Sequence, residues 1–107
     1  MTADQLSVHD NSGRNRRAFP FAVIAQSNRF RASTRRVVVP LLDAAEFRIS
    51  DSDVDPHFVI GGCEVVLDLR QVTNIPLDLP GRSVASLAAE DVRVDNALDV
   101  LFSRAWR

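Results

Sequence analysis

The chain contains no lysine, and all thirteen of its basic residues are arginine. Its cations are therefore planar, always-charged guanidinium forks, matched to carboxylate and phosphate partners. Cysteine is nearly absent too: Cys63 stands alone and cannot close an internal disulfide, which fits a reducing cytoplasm. No apolar run approaches the length of a membrane span. Met1 to Asp10 offer neither a basic head nor an apolar core, so no secretory signal is expected. Motifs that carry chemistry are missing as well. There is no G-x-S-x-G, no P-loop and no dinucleotide fingerprint, and the glycines read as turn glycines. Neither His9 nor His57 has a Cys or His at ligand spacing, so no metal and no cofactor are expected. His57, following Pro56, serves as a general base only if the fold brings a nucleophile to it. No residue is assigned a catalytic role, and the chain reads as a non-enzymatic domain that binds something.

What is present fits one domain over residues 1–107, large enough for a core without metal or disulfide staples. Met1 to Asp4 are expected to be disordered. The net charge of −1 hides an asymmetry. Residues 1–36 hold Arg14, Arg16, Arg17, Arg29, Arg31, Arg35 and Arg36 against Asp4 and Asp10, a local balance of +5; residues 37–107 balance at −6. Such an arginine-rich third suits an acidic peptide or nucleic acid, or is a solvated surface that the acidic half neutralises. Without an overall cationic excess, the lone chain is not read as a strong DNA binder.

Periodicity supplies the architecture. Gln5 to Val8 reads as a short strand, Asp10 to Gly13 as a turn and Arg14 to Arg17 as a loop. Phe19 to Gln26 is apolar on both faces, which predicts a central strand. Ser27 to Thr34 connects it to Arg35–Leu42, where Val37-Val38-Val39 give β-branched stiffness. Pro40 lacks a ladder donor, so that strand should lie at an edge, bulge or end there. Glu46 to Ile49 alternates, with Phe47 and Ile49 inward, and Asp51, Asp53 and Asp55 form a solvated acidic loop without the glycine and glutamate of a calcium loop. Phe58 to Leu69 around Gly61-Gly62 predicts a hairpin, with Cys63 as a small core residue. Val72 to Leu79 is one more irregular strand or turn, and Pro80-Gly81 passes the chain to a helix over 87–107. On that helix Val94, Ala97, Leu98, Leu101, Phe102 and Ala105 fall within an arc of roughly 140°, the buried face. Asn96, Ser103, Arg93 and Arg107 lie opposite, and Trp106 borders the apolar arc. Antiparallel strands followed by one helix predict an α+β barrel-like domain closed by that helix.

Gln26-Ser27-Asn28, then Arg35-Arg36-Val37-Val38-Val39-Pro40-Leu41, then Asn96-Ala97-Leu98 leading to Leu101-Phe102, resemble the CcdB family of type II toxin–antitoxin toxins. Val8 to Arg16 resembles the start of chromosomal relatives, and Pro76 to Leu87 resembles the segment before their helix. The resemblance implies a homodimer with an SH3-like barrel, an antiparallel sheet and a long C-terminal helix, a fold shared with the MazF/Kid endoribonucleases. It implies a cytoplasmic protein that inhibits DNA gyrase, a topoisomerase, by binding the gyrase A subunit and trapping the cleaved-DNA complex. A CcdA-like antitoxin would neutralise it, and operator DNA would be bound only with that antitoxin, as part of transcription regulation in a plasmid-maintenance type of module.

By position, the resemblance carries gyrase contacts onto Ser27, Arg29 and Phe30 and onto Asp99, Phe102, Ser103, Arg104 and Ala105; Trp106 is added as an aromatic at the helix tip. Arg14, Arg16 and Arg17 are the expected antitoxin-binding residues. The best-known members end in Phe-Trp-Gly-Ile, whereas here the chain reads Phe102-Ser103-Arg104-Ala105-Trp106-Arg107. The tryptophan is thereby displaced three positions, about 300° around a helix, to near the same face one turn further out. Two other readings stay open: a non-poisoning member serving as antitoxin partner and operon co-repressor, and an endoribonuclease of the MazF kind.

Overall fold

Strand β3 (Arg35–Asp43), built on the valine triplet, is the strand from which the sheet extends on both sides. The computed structural model describes residues 5–11, 17–25, 29, 32–46, 55–76 and 81–102, without the side chains of Asn74 and Pro76. The other described strands are β1 (Ser7–Asp10), β2 (Phe21–Ile24), β4 (His57–Ile60), β5 (Cys63–Leu67), β6 (Thr73–Pro76) and β7 (Ser83–Ser86). All their pairings are antiparallel, in the order β4-β5-β3-β2-β1-β7, with β6 paired to the first half of β3. A 3-10 turn over Ala88–Glu90 leads into the single described helix, α1 (Asp91–Leu101). The protein is α+β, a curled antiparallel sheet with a C-terminal helix on its concave face.

The main core is that concave face. Val8, Val23, Val39, Leu41, Val65 and Leu67 from the strands meet Leu87, Val94 and Ala97 from the helical end. Ile24, Val38 and Val66 alternate with them and are also buried, so β2 and β3 are apolar on both faces as their sequences predict. β2 lies between β1 and β3, the central position expected for it, although it is shorter than Phe19 to Gln26. Gly61 and Gly62 take φ values of 56° and 82°, the left-handed pair that closes a two-residue hairpin between β4 and β5.

Pro40 departs from expectation. It lies inside β3, opposite Ala22 of β2, and neither ends the strand nor sits at an edge of the sheet. Ala25 donates to the Val37 carbonyl on the β2 side, whereas Asp68 donates to the Pro40 carbonyl on the other side. Backbone groups alternate along a strand, so the position where Pro40 lacks an N–H faces away from β2. There β6 has ended opposite Val38 and β5 has not begun until Leu41. The proline occupies the gap between two partner strands, where no ladder donor is required.

Other parts of the chain also differ from expectation. Asp10 belongs to β1 rather than to a turn. Between Gly81 and the helix the chain forms β7, which sequence reading passed over because its Ser-Val-Ala-Ser run is polar and largely exposed. Asp55 is buried, not solvated: at 1% exposure it accepts two hydrogen bonds from Arg70 Nη2, at 2.8 and 2.9 Å. Asp68 beside it accepts from Arg70 N and Gln71 Nε2, pinning the 3-10 turn Leu69–Gln71. α1 is eleven residues long, and Phe102 caps it as an exposed residue instead of joining the buried face. The expectations for Met1 to Asp4, Phe47, Ile49, Asp51, Asp53, Leu79, Pro80, Ala105 and Trp106 lie outside the described residues.

Candidate functional site

Helix α1 buries Val94 and Ala97 on the sheet and half-buries Leu98 and Leu101. Asp91, Asp95 and Phe102 follow one another at i, i+4 and i+11, so they share the flank beside that contact line. Along this flank runs an apolar groove with a cavity of about 320 Å³. Leu6, Val23, Val39 and Leu67 form its floor; Gln5, Ala25, Val72 and Phe102 border it, and Asp91 and Asp95 add carboxylates. Phe102 is 71% exposed. An aromatic residue displayed beside an apolar groove with acidic neighbours is equipped to hold a protein partner.

Leu6 is held at the groove by its backbone. Its φ of 65° is a left-handed conformation that costs a leucine about 1–3 kcal/mol and persists only where the surroundings enforce it. Two bonds do so here: Leu6 N donates to the Ile24 carbonyl at 2.6 Å, and Leu87 N donates to the Leu6 carbonyl at 2.7 Å. Leu6 is thereby tied to both β2 and the approach to the helix.

The sequence-predicted site residues divide. Ala25, just before the segment of Ser27, Arg29 and Phe30, and Phe102, at the end of α1, line the same groove. The stems of the two segments named as gyrase contacts therefore border one groove. Arg29 and Asp99 are exposed. Ser27, Phe30, Ser103, Arg104, Ala105 and Trp106 lie outside the described residues, as do Arg14 and Arg16. Arg17 is exposed before β2, whereas Arg29 follows it, so the two flank opposite ends of that strand. Arg36 is buried, its Nη1 donating to the carbonyls of Ser33 and Arg35. The described arginines of this third, Arg17, Arg29, Arg35 and Arg36, thus do not share one basic face.

A second groove, of about 500 Å³, was not legible in the sequence. It lies between β4 on one side and Ala85 to Glu90 on the other, and both outer edges of the sheet border it. His57 Nδ1 stands 3.4 Å from Glu64 Oε1, a pair produced by the hairpin register. Arg93 spans the groove. Its Nη2 donates to the His57 carbonyl at 2.6 Å, its Nη1 lies 3.6 Å from Glu90, and its guanidinium sits 4.4 Å from the centre of the Phe58 ring. Among the described residues no hydroxyl or thiol hydrogen-bonds to the His57 ring. Cys63 packs against the core, and burial, reinforced by the Asp43 carboxylate, pushes its thiol pKa above the ordinary value. His9 is also committed: Nδ1 donates to the Gly81 carbonyl at 2.8 Å, because a carbonyl only accepts, and Nε2 meets Ser7 Oγ at 2.9 Å.

No match is found among curated proteins. The family model described as "CcdB protein" matches residues 5–103, which include every described strand and the described helix. The chain belongs to the CcdB family.

Proposed function

We propose that this protein is the toxin of a type II toxin–antitoxin module, a cytoplasmic homodimer that binds the DNA gyrase A subunit and traps the cleaved-DNA complex. The observation that carries this reading is the convergence of Ala25 and Phe102 on one apolar groove, with Phe102 displayed at its border. Arg29, Asp99 and Phe102 belong to the gyrase-facing end, together with Ser27, Phe30, Ser103, Arg104, Ala105 and Trp106. Family membership supports the toxin class. The dimer is supported by the outward face of α1, where Val92 and Val100, two turns apart, are exposed beside Asn96.

The antitoxin is a CcdA-like protein with an acidic, amphipathic segment that orders on binding. Arg14, Arg16 and Arg17 supply charge-assisted pairs for it, so affinity should fall as salt rises. A salt-independent affinity in titration calorimetry would remove this electrostatic part. The two proteins together bind operator DNA and repress their own genes.

The deciding experiment expresses the wild type and Trp106→Ala without antitoxin and assays growth and gyrase–DNA cleavage complexes. Growth arrest with accumulated cleaved DNA, both relieved by Trp106→Ala in a protein of unchanged melting temperature, supports the reading. A folded, harmless wild type that traps no cleaved DNA assigns the protein to the non-poisoning class. RNA cleavage by purified protein would instead favour the endoribonuclease.

A further inference from the structure

Among the described residues the sheet does not close on itself: it begins at β4 and ends at β7, and the two edges face the same groove. In β4 the two-residue turn makes Ile60–Cys63 a hydrogen-bonded pair, so Phe58 also bonds to β5 while His57 and Val59 point their backbone groups outward. The donation of Leu67 N to the Pro56 carbonyl confirms this phase, because Pro56 falls on the inward set. The His57 carbonyl is taken by Arg93. Val59 N–H and C=O have no hydrogen-bond partner among the described residues, and the Val59 side chain is 69% exposed. Exposed strand edges are ordinarily blunted by charge, proline or cover. Here Arg93 blunts only the His57 end and leaves the Val59 end open.

We propose that this edge is a strand-addition site for an extended segment of a partner protein, with a basic residue opposite Val59 and apolar residues on either side. The segment would pair antiparallel to β4, its basic residue exchanging both backbone bonds with Val59. Arg93 acts as the stop that fixes the register. Directly opposite residues share a face, so the basic side chain lies on the outer face, where it reaches across Val59 towards Glu64. Glu64 is two-thirds exposed, and among the described residues its carboxylate pairs with His57, at 3.4 Å. The flanking apolar residues turn inward, towards Leu87 and Ala89. A second copy of this chain fits less well. Pairing β4 with itself would bring Glu64 and Glu90 twice into one seam and, among the described residues lining the groove, add no arginine beyond the two Arg93 side chains already engaged. The site is separate from the Phe102 groove, and the proposal stands or falls independently of gyrase binding.

The test is fluorescence anisotropy with a labelled peptide, acetyl-Ser-Val-Arg-Val-Ser-amide, titrated with the full chain. Saturable binding is expected, weakened at least tenfold by methylation of the arginine backbone nitrogen, which removes the donor to Val59 and leaves every side chain in place. Val59→Pro should cause a similar loss, because its N–H serves no internal ladder and proline is tolerated on an outward-facing edge. Glu64→Gln should weaken binding severalfold and flatten its salt dependence. The methylated peptide binding wild type as well as its parent overturns the proposal, and this arm holds even if Val59→Pro fails to fold. No saturable binding up to roughly millimolar concentration overturns it too. Self-association that Val59→Pro abolishes, without peptide binding, gives the edge to a second copy and refutes the partner.

Discussion

Arg70 joins parts of the chain that are distant in sequence. Its guanidinium lies half in solvent and holds the buried carboxylate of Asp55, while its backbone N–H and Nε engage Asp68. Removing the arginine takes the two-bond partner away from a buried carboxylate; removing the carboxylate leaves a cation that water can solvate. Arg70→Ala should therefore cost about 3 kcal/mol, the low end for a broken buried pair, and Asp55→Asn distinctly less. Urea denaturation midpoints with unchanged slopes would establish that order, and an equal or reversed cost would contradict it. Cys63 gives a chemical counterpart. Burial and Asp43 push its thiol pKa above the ordinary value, so alkylation at pH 8 should be slower than for a free cysteine. A rate at or above that of the free thiol would contradict the packing described for it.

At the scale of the element, the glycine that admits β7 is as decisive as any strand residue. A Cβ on Gly81 would collide with the Asp10 carbonyl, part of the backbone of β1, and backbone cannot yield as a side-chain tip can. Gly81→Ala should destabilise the fold by about 1–3 kcal/mol. Pro40→Ala should stay within about 1 kcal/mol, because the restored N–H faces the gap between β5 and β6. Thermal melts of the two variants test both statements. The same elements show what a sequence can reveal. The valine triplet, the Gly61-Gly62 hairpin and the two-sided apolar run of β2 announced themselves, since their patterns come from local sterics and periodicity. β7 did not, because an exposed, polar edge strand carries no periodic signal. Asp55 and Phe102 were misplaced for a related reason. Burial of a carboxylate depends on an arginine fifteen positions on, and exposure of the phenylalanine depends on the helix ending at Leu101. The Phe102 groove was half legible. The resemblance named the segments around Ser27 and Phe102, whereas their meeting through Ala25 is tertiary and had no local signature.

The whole molecule presents unlike surfaces in different places: the Phe102 groove with its acidic residues, the outward stripe of α1 with Val92 and Val100, and the open β4 edge. Assigning the stripe to the homodimer makes a separable prediction. Val92→Asp with Val100→Asp should shift sedimentation towards the 11.9 kDa monomer while leaving the core untouched; a wild type that already sediments only as that monomer removes the dimer. The proposed gyrase contact lies at the Phe102 groove, where Ala25 and Phe102, the stems of the two proposed recognition segments, come together. It is tested most directly by incubating purified gyrase and supercoiled DNA with the wild-type protein and with Phe102→Ala, then quantifying DNA linearised on denaturation. Linear DNA is expected with the wild type and at least a tenfold loss with Phe102→Ala, an exposed residue whose truncation should leave the melting temperature unchanged, consistent with a binding hot spot of about 2 kcal/mol. No linear DNA with folded wild-type protein, or equal trapping by Phe102→Ala, would contradict the proposed contact.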